Sequence, residues 1–431
     1  MFNPAKVNSV KVNPVGESGL RKSDKEVTEM EIKVTDTIRY IGVDDRDLDL
    51  FESQYEVPNG MAYNSYVILD EKIAVMDTVD ERGADAWVEN LQRELAGRTP
   101  DYVVIQHMEP DHTGSLARLI SLYPEIQLVG NVKTFQMLPQ FYPLDTEGKT
   151  VVVKEGDTLS LGVHTLQFFM APMIHWPEVM MTYEQSEKVF FSADAFGKFG
   201  TLDTAEDWAC EARRYYFNIV GKYGAPVQML LKKASSLDIR IIAPLHGPVL
   251  GEGLMVPDEE KGQAPCEPLS YYLGLYDTWS SYKAESRGVF IAVASIHGNT
   301  LKAAKKLEEL LLAKGEERVV VSEISREDMA EIVEDAFRHD RIVLAASSYD
   351  GGVFLPMHDL LTHLGYKGFQ NRTVGILENG SWAPSAARTI RGLLEPMKGI
   401  EILEPTVTIR SSLQEADLPQ LEALADALIS K

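Results

Sequence analysis

A set of histidines and carboxylates at the ends of strand-like runs constrains this chain more than any other feature of its sequence. The apolar run 102–105 is followed at once by His107-Met-Glu-Pro-Asp-His112. Side chains i, i+2 and i+4 of an extended segment share one side of the backbone. We therefore expect His107, Glu109 and Asp111 to converge at the end of a strand.

Three further candidate ligands follow other runs of the same kind. They are His175 after residues 165–169, Asp194 after residues 189–191 and His246 after residues 239–243. Together the two sets offer three imidazoles and three carboxylates. Six protein ligands are too many for one catalytic ion that keeps an open position, and they suit two ions bridged by a carboxylate. The sequence thus predicts a dinuclear metal site.

The second part of the chain, from about residue 287, alternates apolar runs with segments of helical spacing. Five strand–helix units in the last 145 or so residues predict a doubly wound parallel sheet, with ligands beyond the carboxyl ends of its strands. The predicted strands are residues 289–294, 319–323, 342–346, 373–377 and 400–407, and the predicted helices are residues 300–313, 328–337, 357–364, 385–394 and 414–429.

The first part has a different pattern, in which short strand-like runs are separated by long irregular insertions. This favours an α/β sandwich over a regular winding. The stretch 251–265 is rich in Gly, Pro and charge, as connectors are, and the aromatic segment 271–282 predicts a helix that joins two halves. We place the domains at 31–283 and 284–431. Residues 1–30 are polar and lack the apolar core of a secretory signal, so we expect a loosely ordered extension.

Composition and charge exclude several classes of partner. No apolar run approaches the ~20 residues that span a bilayer, which disfavours a membrane protein. A formal net charge of −23 disfavours nucleic acid, whose binding depends on neutralising phosphates. The only two cysteines in the sequence, Cys210 and Cys266, suit a reducing compartment, so we expect a cytoplasmic protein.

The order of the candidate ligands resembles the metallo-β-lactamase superfamily, and within it the flavodiiron proteins. The neighbouring residues support the resemblance: Tyr63-Asn-Ser-Tyr66, Glu109-Pro-Asp-His-Thr-Gly-Ser-Leu116, His175-Trp-Pro177 and Ser192-Ala-Asp-Ala-Phe-Gly197. The likeness extends from about residue 31 to the C-terminus. It implies an α/β protein with an N-terminal metallo-β-lactamase-like αβ/βα sandwich followed by a C-terminal flavodoxin-like doubly wound parallel sheet.

The resemblance also implies a ligand set for two irons. One iron takes His107, Glu109, His175 and Asp194, and the other takes Asp111, Asp194 and His246, with Asp194 as the bridge. His112 lies beside the second iron and is an open candidate. Hydrolytic relatives, which generally bind zinc, carry His in place of Glu109. An anionic oxygen ligand favours a trivalent ion and hence redox-active iron. A di-zinc hydrolase fused to a flavin domain is the alternative.

The second half resembles the flavodoxins in three loops that follow its strands. Small and hydroxyl residues in the first loop let backbone N–H groups approach a phosphate at a helix N-terminus. Tyr349 and Trp382 are candidates to stack on the flavin ring. The implied FMN-binding residues are Ser295, His297, Gly298, Asn299 and Thr300, then Ser347, Ser348, Tyr349, Asp350, Gly351 and Gly352, and finally Asn379, Gly380, Ser381 and Trp382.

The implied activity is reduction of O2 to water, NO to N2O, or both, with FMN passing electrons to the irons. The sequence holds no Cys-x-x-Cys pair, so we expect the donor to be a separate rubredoxin-like protein. The resemblance implies a head-to-tail homodimer, or a dimer of dimers, that places each flavin beside the partner's irons. Trp176, Met180 and Met181 are predicted to give an apolar surface near the metal site. A non-catalytic FMN- and gas-binding sensor is a second alternative.

Overall fold

Two six-stranded sheets form the first half of the chain in the computed structural model, which describes residues 34–258, 261–404 and 406–431. The extension predicted for residues 1–30 lies outside the described residues. In both sheets the spatial order of the strands is their order along the chain. The first sheet contains Ile38–Tyr40, Tyr66–Ile68, Ala74–Met76, Tyr102–Val104, Gln127–Gly130 and Thr150–Val152, and the second contains Thr158–Ser160, Thr165–Met170, Met180–Glu184, Val189–Phe191, Ile241–Ala243 and Leu250–Gly251.

The central strands of these sheets are buried along their whole length. Ala74–Met76, Tyr102–Val104 and Val189–Phe191 expose no residue to solvent. Their unbroken apolar character is typical of strands that are covered on both faces. Tyr102–Val104 runs parallel to its neighbours, and Val189–Phe191 runs parallel to Ile241–Ala243. Parallel strands bring their carboxyl ends to one edge, where most of the candidate ligands follow. His175 follows Thr165–Met170, which is antiparallel to both neighbours but runs in the same direction as Val189–Phe191.

Helices cover the sheets and close the core of the first half. Helix Ala84–Leu95 buries Trp87 and Leu91 in a hydrophobic cluster that includes residues of both sheets. The helices are Glu81–Gly83, Ala84–Leu95, Pro110–Thr113, Leu116–Leu122, Val132–Phe141, Trp208–Tyr215, Tyr216–Val220, Gly221–Tyr223, Gly224–Ala234 and Leu269–Ser280. Three short hairpins pair Val43–Asp45 with Met61–Tyr63, Leu50–Phe51 with Tyr55–Glu56, and Met255–Asp258 with Gly262–Pro265.

A third sheet forms the second half, and its central strands run parallel in the order 2-1-3-4-5. This is the doubly wound, flavodoxin-like arrangement predicted from the sequence. Its strands in spatial order are Val319–Glu323, Ser286–Ala294, His339–Tyr349, Thr373–Asn379 and Glu401–Ile402, with Gly352–Val353 and Val407–Ile409 paired beside them. Its helices are Asn299–Ala313, Met329–Arg338, Leu355–Tyr366, Ala386–Leu394, Glu415–Asp417 and Leu418–Ile429.

The prediction of one strand over residues 400–407 was wrong. The structure has two short strands, Glu401–Ile402 and Val407–Ile409, which pair with different parts of Thr373–Asn379. The sequence between them contains Pro405, which has no N–H to donate to a sheet. The second strand therefore starts later and leads into residues 410–412 at the carboxyl edge of the sheet.

Buried contacts join the two halves within residues 33–431, which form one unit. The rings of Phe217 and Phe337 stack with their centroids 4.1 Å apart. The buried Arg213 guanidinium donates to Glu334 and, over 2.9 Å, to Glu285. The joining helix predicted from the aromatic segment is Leu269–Ser280. Among the described helices, none has the length and apolarity needed to cross a membrane.

Candidate metal centre and flavin-binding loops

The candidate ligands lie directly beyond buried strands, although not all in extended backbone. His107 follows the strand Tyr102–Val104 by three residues, and Glu109 is the N-cap of the short helix Pro110–Thr113. Asp111 and His112 belong to that helix. The expectation that residues 107, 109 and 111 share an extended segment was therefore wrong for Asp111. The helix turns Asp111 and His112 toward a second group of ligands.

The first group consists of His107, Glu109, His175 and Asp194, whose ligand atoms lie within 4.8 Å of one another. His175 Nε2 is 2.8 Å from Glu109 Oε2 and 3.1 Å from Asp194 Oδ2. His107 Nε2 is 3.4 Å from Asp194 Oδ1. Two atoms that each bind an ion at about 2.1 Å with a tetrahedral angle lie roughly 3.4 Å apart. The group therefore has the dimensions of a site for one ion.

The second group contains Asp111, His112 and His246, and Asp194 lies between the two groups. His112 Nε2 and His246 Nε2 are each 3.3 Å from Asp111 Oδ2. Asp194 Oδ1 is 3.6 Å from His112 Nε2 and 4.0 Å from His246 Nε2. Since the two imidazoles face Asp111 at equal distances, His112 is as well placed as His246 to hold an ion.

Several ligand atoms in these groups are buried without a hydrogen-bond partner. They include both ring nitrogens of His107 and both carboxylate oxygens of Asp111 and of Asp194. A buried polar atom without a partner costs free energy, and nearly all such atoms in folded proteins are paired. Two cations placed between the groups would satisfy these atoms, so the residues fit a dinuclear metal centre.

The electrostatics of the cluster also favour positive charge. Burial lowers the pKa of His107, but the Asp194 and Glu109 carboxylates outweigh burial and raise it well above its usual value. Burial opposes protonation of His175 too, yet the same carboxylates raise its pKa to about 10. Burial raises the pKa of Asp194, and the facing imidazoles more than reverse this effect. Metal ions that bind here would therefore displace protons from these imidazoles.

The three predicted flavin-binding loops meet at the carboxyl edge of the third sheet. Thr300 Oγ1 lies 3.0 Å from Ser347 Oγ and accepts a 3.3 Å hydrogen bond from the Asn379 amide. Gly298 has a φ of +80°, and a Cβ there would meet no atom within 4 Å, which leaves space before helix Asn299–Ala313. The buried Ser295 hydroxyl has no partner. An open helix N-terminus with an unpaired hydroxyl fits a phosphate.

Two aromatic residues stand exposed beside these loops. Tyr349 is 46% exposed and Trp382 is 90% exposed, the largest value among the large hydrophobic side chains described. A flat ring system that covers Trp382 would remove its apolar surface from water and add a stacking contact. A fourth loop, not predicted from the sequence, contributes Ser411. Its backbone N–H donates to Asn379 Oδ1, and its hydroxyl is 2.6 Å from that of Ser381.

Comparison with known proteins identifies relatives that cover both halves. The family model described as ODP family beta lactamase matches residues 61–247. A diflavin flavoprotein of Synechocystis sp. is 32% identical over 260 residues, which are 59% of this chain and 42% of the relative. The anaerobic nitric oxide reductase flavorubredoxin of Vibrio vulnificus is 28% identical over 378 residues, which are 85% of this chain and 73% of the relative.

The chain is therefore similar to flavodiiron proteins in both halves. Its fold matches that of the rubredoxin oxygen:oxidoreductase from Desulfovibrio gigas with a TM-score of 0.82 at 22% identity, over 93% of this chain and 98% of that one. The flavodiiron protein from Giardia intestinalis gives the same TM-score at 21% identity, over 93% and 97% of the two chains. The chain thus has the fold predicted from its sequence.

Two residues near the candidate ligands were not predicted from the sequence. The buried Glu178 accepts the Met108 N–H over 2.8 Å, which fixes the backbone between His107 and Glu109. The Tyr215 ring lies 5.5 Å from that of His246, and its buried hydroxyl has no hydrogen-bond partner. Burial and then the charges of Asp194, Asp111 and Glu109 raise the pKa of Tyr215, so the hydroxyl keeps its proton.

The predicted apolar surface beside the metal centre has different members from those expected. Met180 and Met181 lie in the strand Met180–Glu184 and are completely buried, so their assignment to the surface was wrong. Trp176 is partly exposed and packs against Phe141, with ring centroids 6.0 Å apart. Phe141 and Val132, at the two ends of one helix, are 37% and 58% exposed. The apolar surface next to His175 therefore comes from Trp176 and this helix.

Proposed function

We propose that the chain is a flavodiiron protein that reduces O2 to water, or NO to N2O, at two irons, with electrons delivered through FMN. The observation that carries the proposal is the pair of buried ligand groups that share Asp194 and leave its oxygens unpaired. The names of two similar proteins support it: a Vibrio vulnificus relative is a nitric oxide reductase, and the Desulfovibrio gigas protein is an oxygen:oxidoreductase. The proposed ligands are His107, Glu109, His175 and Asp194 for one iron, and Asp111, His112, His246 and Asp194 for the other.

The choice of iron over zinc depends on the carboxylates. Glu109, Asp111 and Asp194 place three anionic oxygen donors around the two positions, and hard anionic ligands stabilise the trivalent state. Zinc has no accessible second oxidation state, so it could not accept electrons from a flavin bound to the loops of the same chain. The first alternative, a di-zinc hydrolase, is disfavoured for this reason.

The residues of this chain have three tasks in the proposed reaction. When bound, two irons and FMN supply the redox chemistry. Asp194 holds the two metal positions at a fixed separation, and the His246 Nδ1–H, donated over 2.8 Å to the Ala62 carbonyl, turns Nε2 toward the centre. The Tyr215 hydroxyl, which has no other partner, is available to donate to an oxygen atom of the substrate.

The flavin loops suggest how electrons enter. We assign the FMN phosphate to residues 295–300, around the unpaired Ser295 hydroxyl, and the ring to Tyr349 and Trp382. A rubredoxin-like protein is the proposed donor, as the name of the Desulfovibrio gigas protein suggests. Cys210 and Cys266 are free thiols, which supports a reducing compartment such as the cytoplasm.

The apolar surfaces support a head-to-tail assembly. Trp382 and Tyr349 are exposed at the flavin loops, and Trp176 and Phe141 are partly exposed beside His175. Apolar surface of this kind marks interaction sites on soluble proteins. A dimer in which the flavin loops of one chain cover the metal centre of the other would bury both surfaces and bring the two redox groups together.

Side-by-side consumption assays test the proposed function. Protein that is replete in iron and FMN is supplied with reduced rubredoxin and, under anaerobic control, with either O2 or NO. We expect continuous consumption of at least one gas at a rate ordinary for enzymes, roughly 1–10³ per second. Binding of gas without turnover would instead support a sensor, and an active zinc form that hydrolyses substrates would support the hydrolase.

A further inference from the structure

A second cluster of potential ligands lies at the end of the sandwich away from the metal centre. His164 precedes the strand Thr165–Met170, whereas His175 follows it. Glu187 likewise precedes the strand Val189–Phe191, whereas Asp194 follows it. Ligand atoms of His164, Glu184 and Glu187 lie within 4.8 Å of one another. Two neighbouring turns of the second sheet therefore bring one imidazole and two carboxylates together.

The His164 ring is oriented by a carboxylate on its far side. Its Nδ1 is 2.8 Å from Asp70 Oδ2, and the backbone N–H of His164 donates to the same oxygen over 2.7 Å. A carboxylate can only accept, so Nδ1 carries the proton and Nε2 points away toward Glu187. A histidine whose second nitrogen donates to a carboxylate is the usual arrangement of a metal ligand.

Two threonine hydroxyls lie beside Nε2 and the Glu187 carboxylate. Thr37 Oγ1 lies 3.0 Å from His164 Nε2 and 2.8 Å from Glu187 Oε2, and Thr35 Oγ1 also donates to Oε2. Thr37 has one proton, so it can donate to only one of its two neighbours. Nε2 and Oε2 are 3.5 Å apart, and both can accept a cation placed between them.

The cluster also lacks positive charge. Asp70, Glu184 and Glu187 bring three carboxylates to one imidazole. Within the described ranges, His164 is the only basic side chain that forms an ion pair with any of them, and its partners are Asp70 and Glu187. Glu184 is completely buried and is held by the backbone N–H groups of Ser186 and Glu187. Buried charges are normally paired or bound to a metal. The Glu187 side chain is 30% exposed, so an ion can enter from solvent.

We propose that His164, Glu184 and Glu187 bind a divalent metal ion of the zinc class, separate from the dinuclear centre. Imidazole and carboxylate are both ordinary zinc ligands, and the 3.5 Å between Nε2 and Oε2 is close to the separation of about 3.4 Å expected at one tetrahedral ion. The ion would link the turn before Thr165–Met170 to the turn before Val189–Phe191. Through Asp70 and Thr37 it would also fix the edge of the first sheet. Its role would be to hold the two sheets together.

Metal analysis of the holoprotein tests this site without relying on activity. The protein, with iron and FMN bound, is dialysed against buffered Zn²⁺, and zinc and iron are measured in the same sample. We expect the parent protein to hold one more zinc per chain than His164→Gln, and we expect both proteins to hold the same amount of iron. His363→Gln changes a partly exposed histidine in helix Leu355–Tyr366 and should behave as the parent. Anomalous diffraction at the zinc edge should place a peak beside His164 Nε2.

A second variant, Glu187→Gln, tests the same site in case His164→Gln does not fold. Glu187→Gln keeps an oxygen that accepts from Thr35 and Thr37 but removes the anionic ligand. Zinc should raise the melting temperature of the parent and of His363→Gln by a few degrees, because it binds only the folded state, and leave Glu187→Gln unchanged. Equal zinc content in parent and Glu187→Gln, or no anomalous peak at saturating zinc, would overturn the proposal.

Discussion

Glu109 is the residue on which the choice between iron and zinc chemistry depends most. Its carboxylate faces His175 at 2.8 Å and His107 at 3.7 Å, in a position where the resemblance to hydrolytic relatives would imply an imidazole. Burial raises its pKa, but His107 and His175 more than reverse this effect, so the ligand is anionic. An anion at this position stabilises the oxidised centre in a way that a neutral ring does not.

Glu109→His should therefore reduce iron content and lower turnover by more than the roughly 10–100-fold typical of changes around metal ligands. FMN content should stay at one per chain, because the flavin loops belong to another sheet. Metal analysis, flavin absorbance and O2 and NO consumption are compared with Glu125→His, a change at an exposed glutamate. Normal reductase activity in Glu109→His would show that the argument from ligand hardness is wrong.

Tyr215 and Tyr216 provide a matched pair at the residue scale. Both are completely buried, but Tyr215 packs against His246, whereas Tyr216 packs against Tyr276 and Trp279. Tyr215→Phe should fold normally, keep its metals, and lose on the order of 10²-fold in turnover, the usual cost of removing one donor to a transition state. Tyr216→Phe should keep full activity. Equal rates in the two variants would exclude a role for the Tyr215 hydroxyl.

At the scale of elements, apolar runs predicted the strands well because these strands are buried on both faces and carry few polar residues. The segment after Val104 was harder to predict. Pro110 at the first helical position indicates a helix start, yet the ligand spacing also matched an extended segment. The second ligand group depends on that one-turn helix. Likewise, the prediction of one strand over residues 400–407 missed the second strand, Val407–Ile409, and the loop with Ser411 that follows it at the flavin site.

The loop after Thr373–Asn379 gives a prediction about the flavin. Trp382 is almost fully exposed, so its removal should leave folding unchanged. A lost stacking contact of about 0.5–1.5 kcal/mol should weaken FMN binding by Trp382→Ala roughly 2–12-fold. Titration of the flavin-free protein by fluorescence quenching measures the dissociation constant. Tyr366→Ala, at another exposed aromatic residue, serves as the control, and equal constants in both variants would remove Trp382 from the site.

At the scale of the whole molecule, the two sandwich sheets carry the candidate metal centre and the doubly wound sheet carries the flavin loops. We propose the domains as residues 31–283 and 284–431, with the Arg213–Glu334 pair and the Phe217–Phe337 stack as their contact. The sequence predicted this division because the pattern of strands changes near residue 287. It did not predict the contact, since long-range pairs between helices leave no local signal.

The head-to-tail dimer predicts complementation between two inactive variants. His107→Ala combined with Asp194→Ala removes metal ligands, and Gly298→Asp places a negative charge in the open space before helix Asn299–Ala313. Each homodimer should be inactive, whereas the mixed dimer should recover activity, because an intact flavin faces intact irons across the interface. Verified heterodimers that stay inactive while both variants fold would show that electrons pass within one chain.

The cofactor content of fully active protein tests the central claim most directly. Iron, zinc and FMN are measured in one preparation whose rate of O2 or NO consumption is known. The two ligand groups and the flavin loops predict two irons and one FMN per chain, with activity that rises in proportion to iron. Stoichiometric zinc and negligible iron in fully active protein would contradict the di-iron centre.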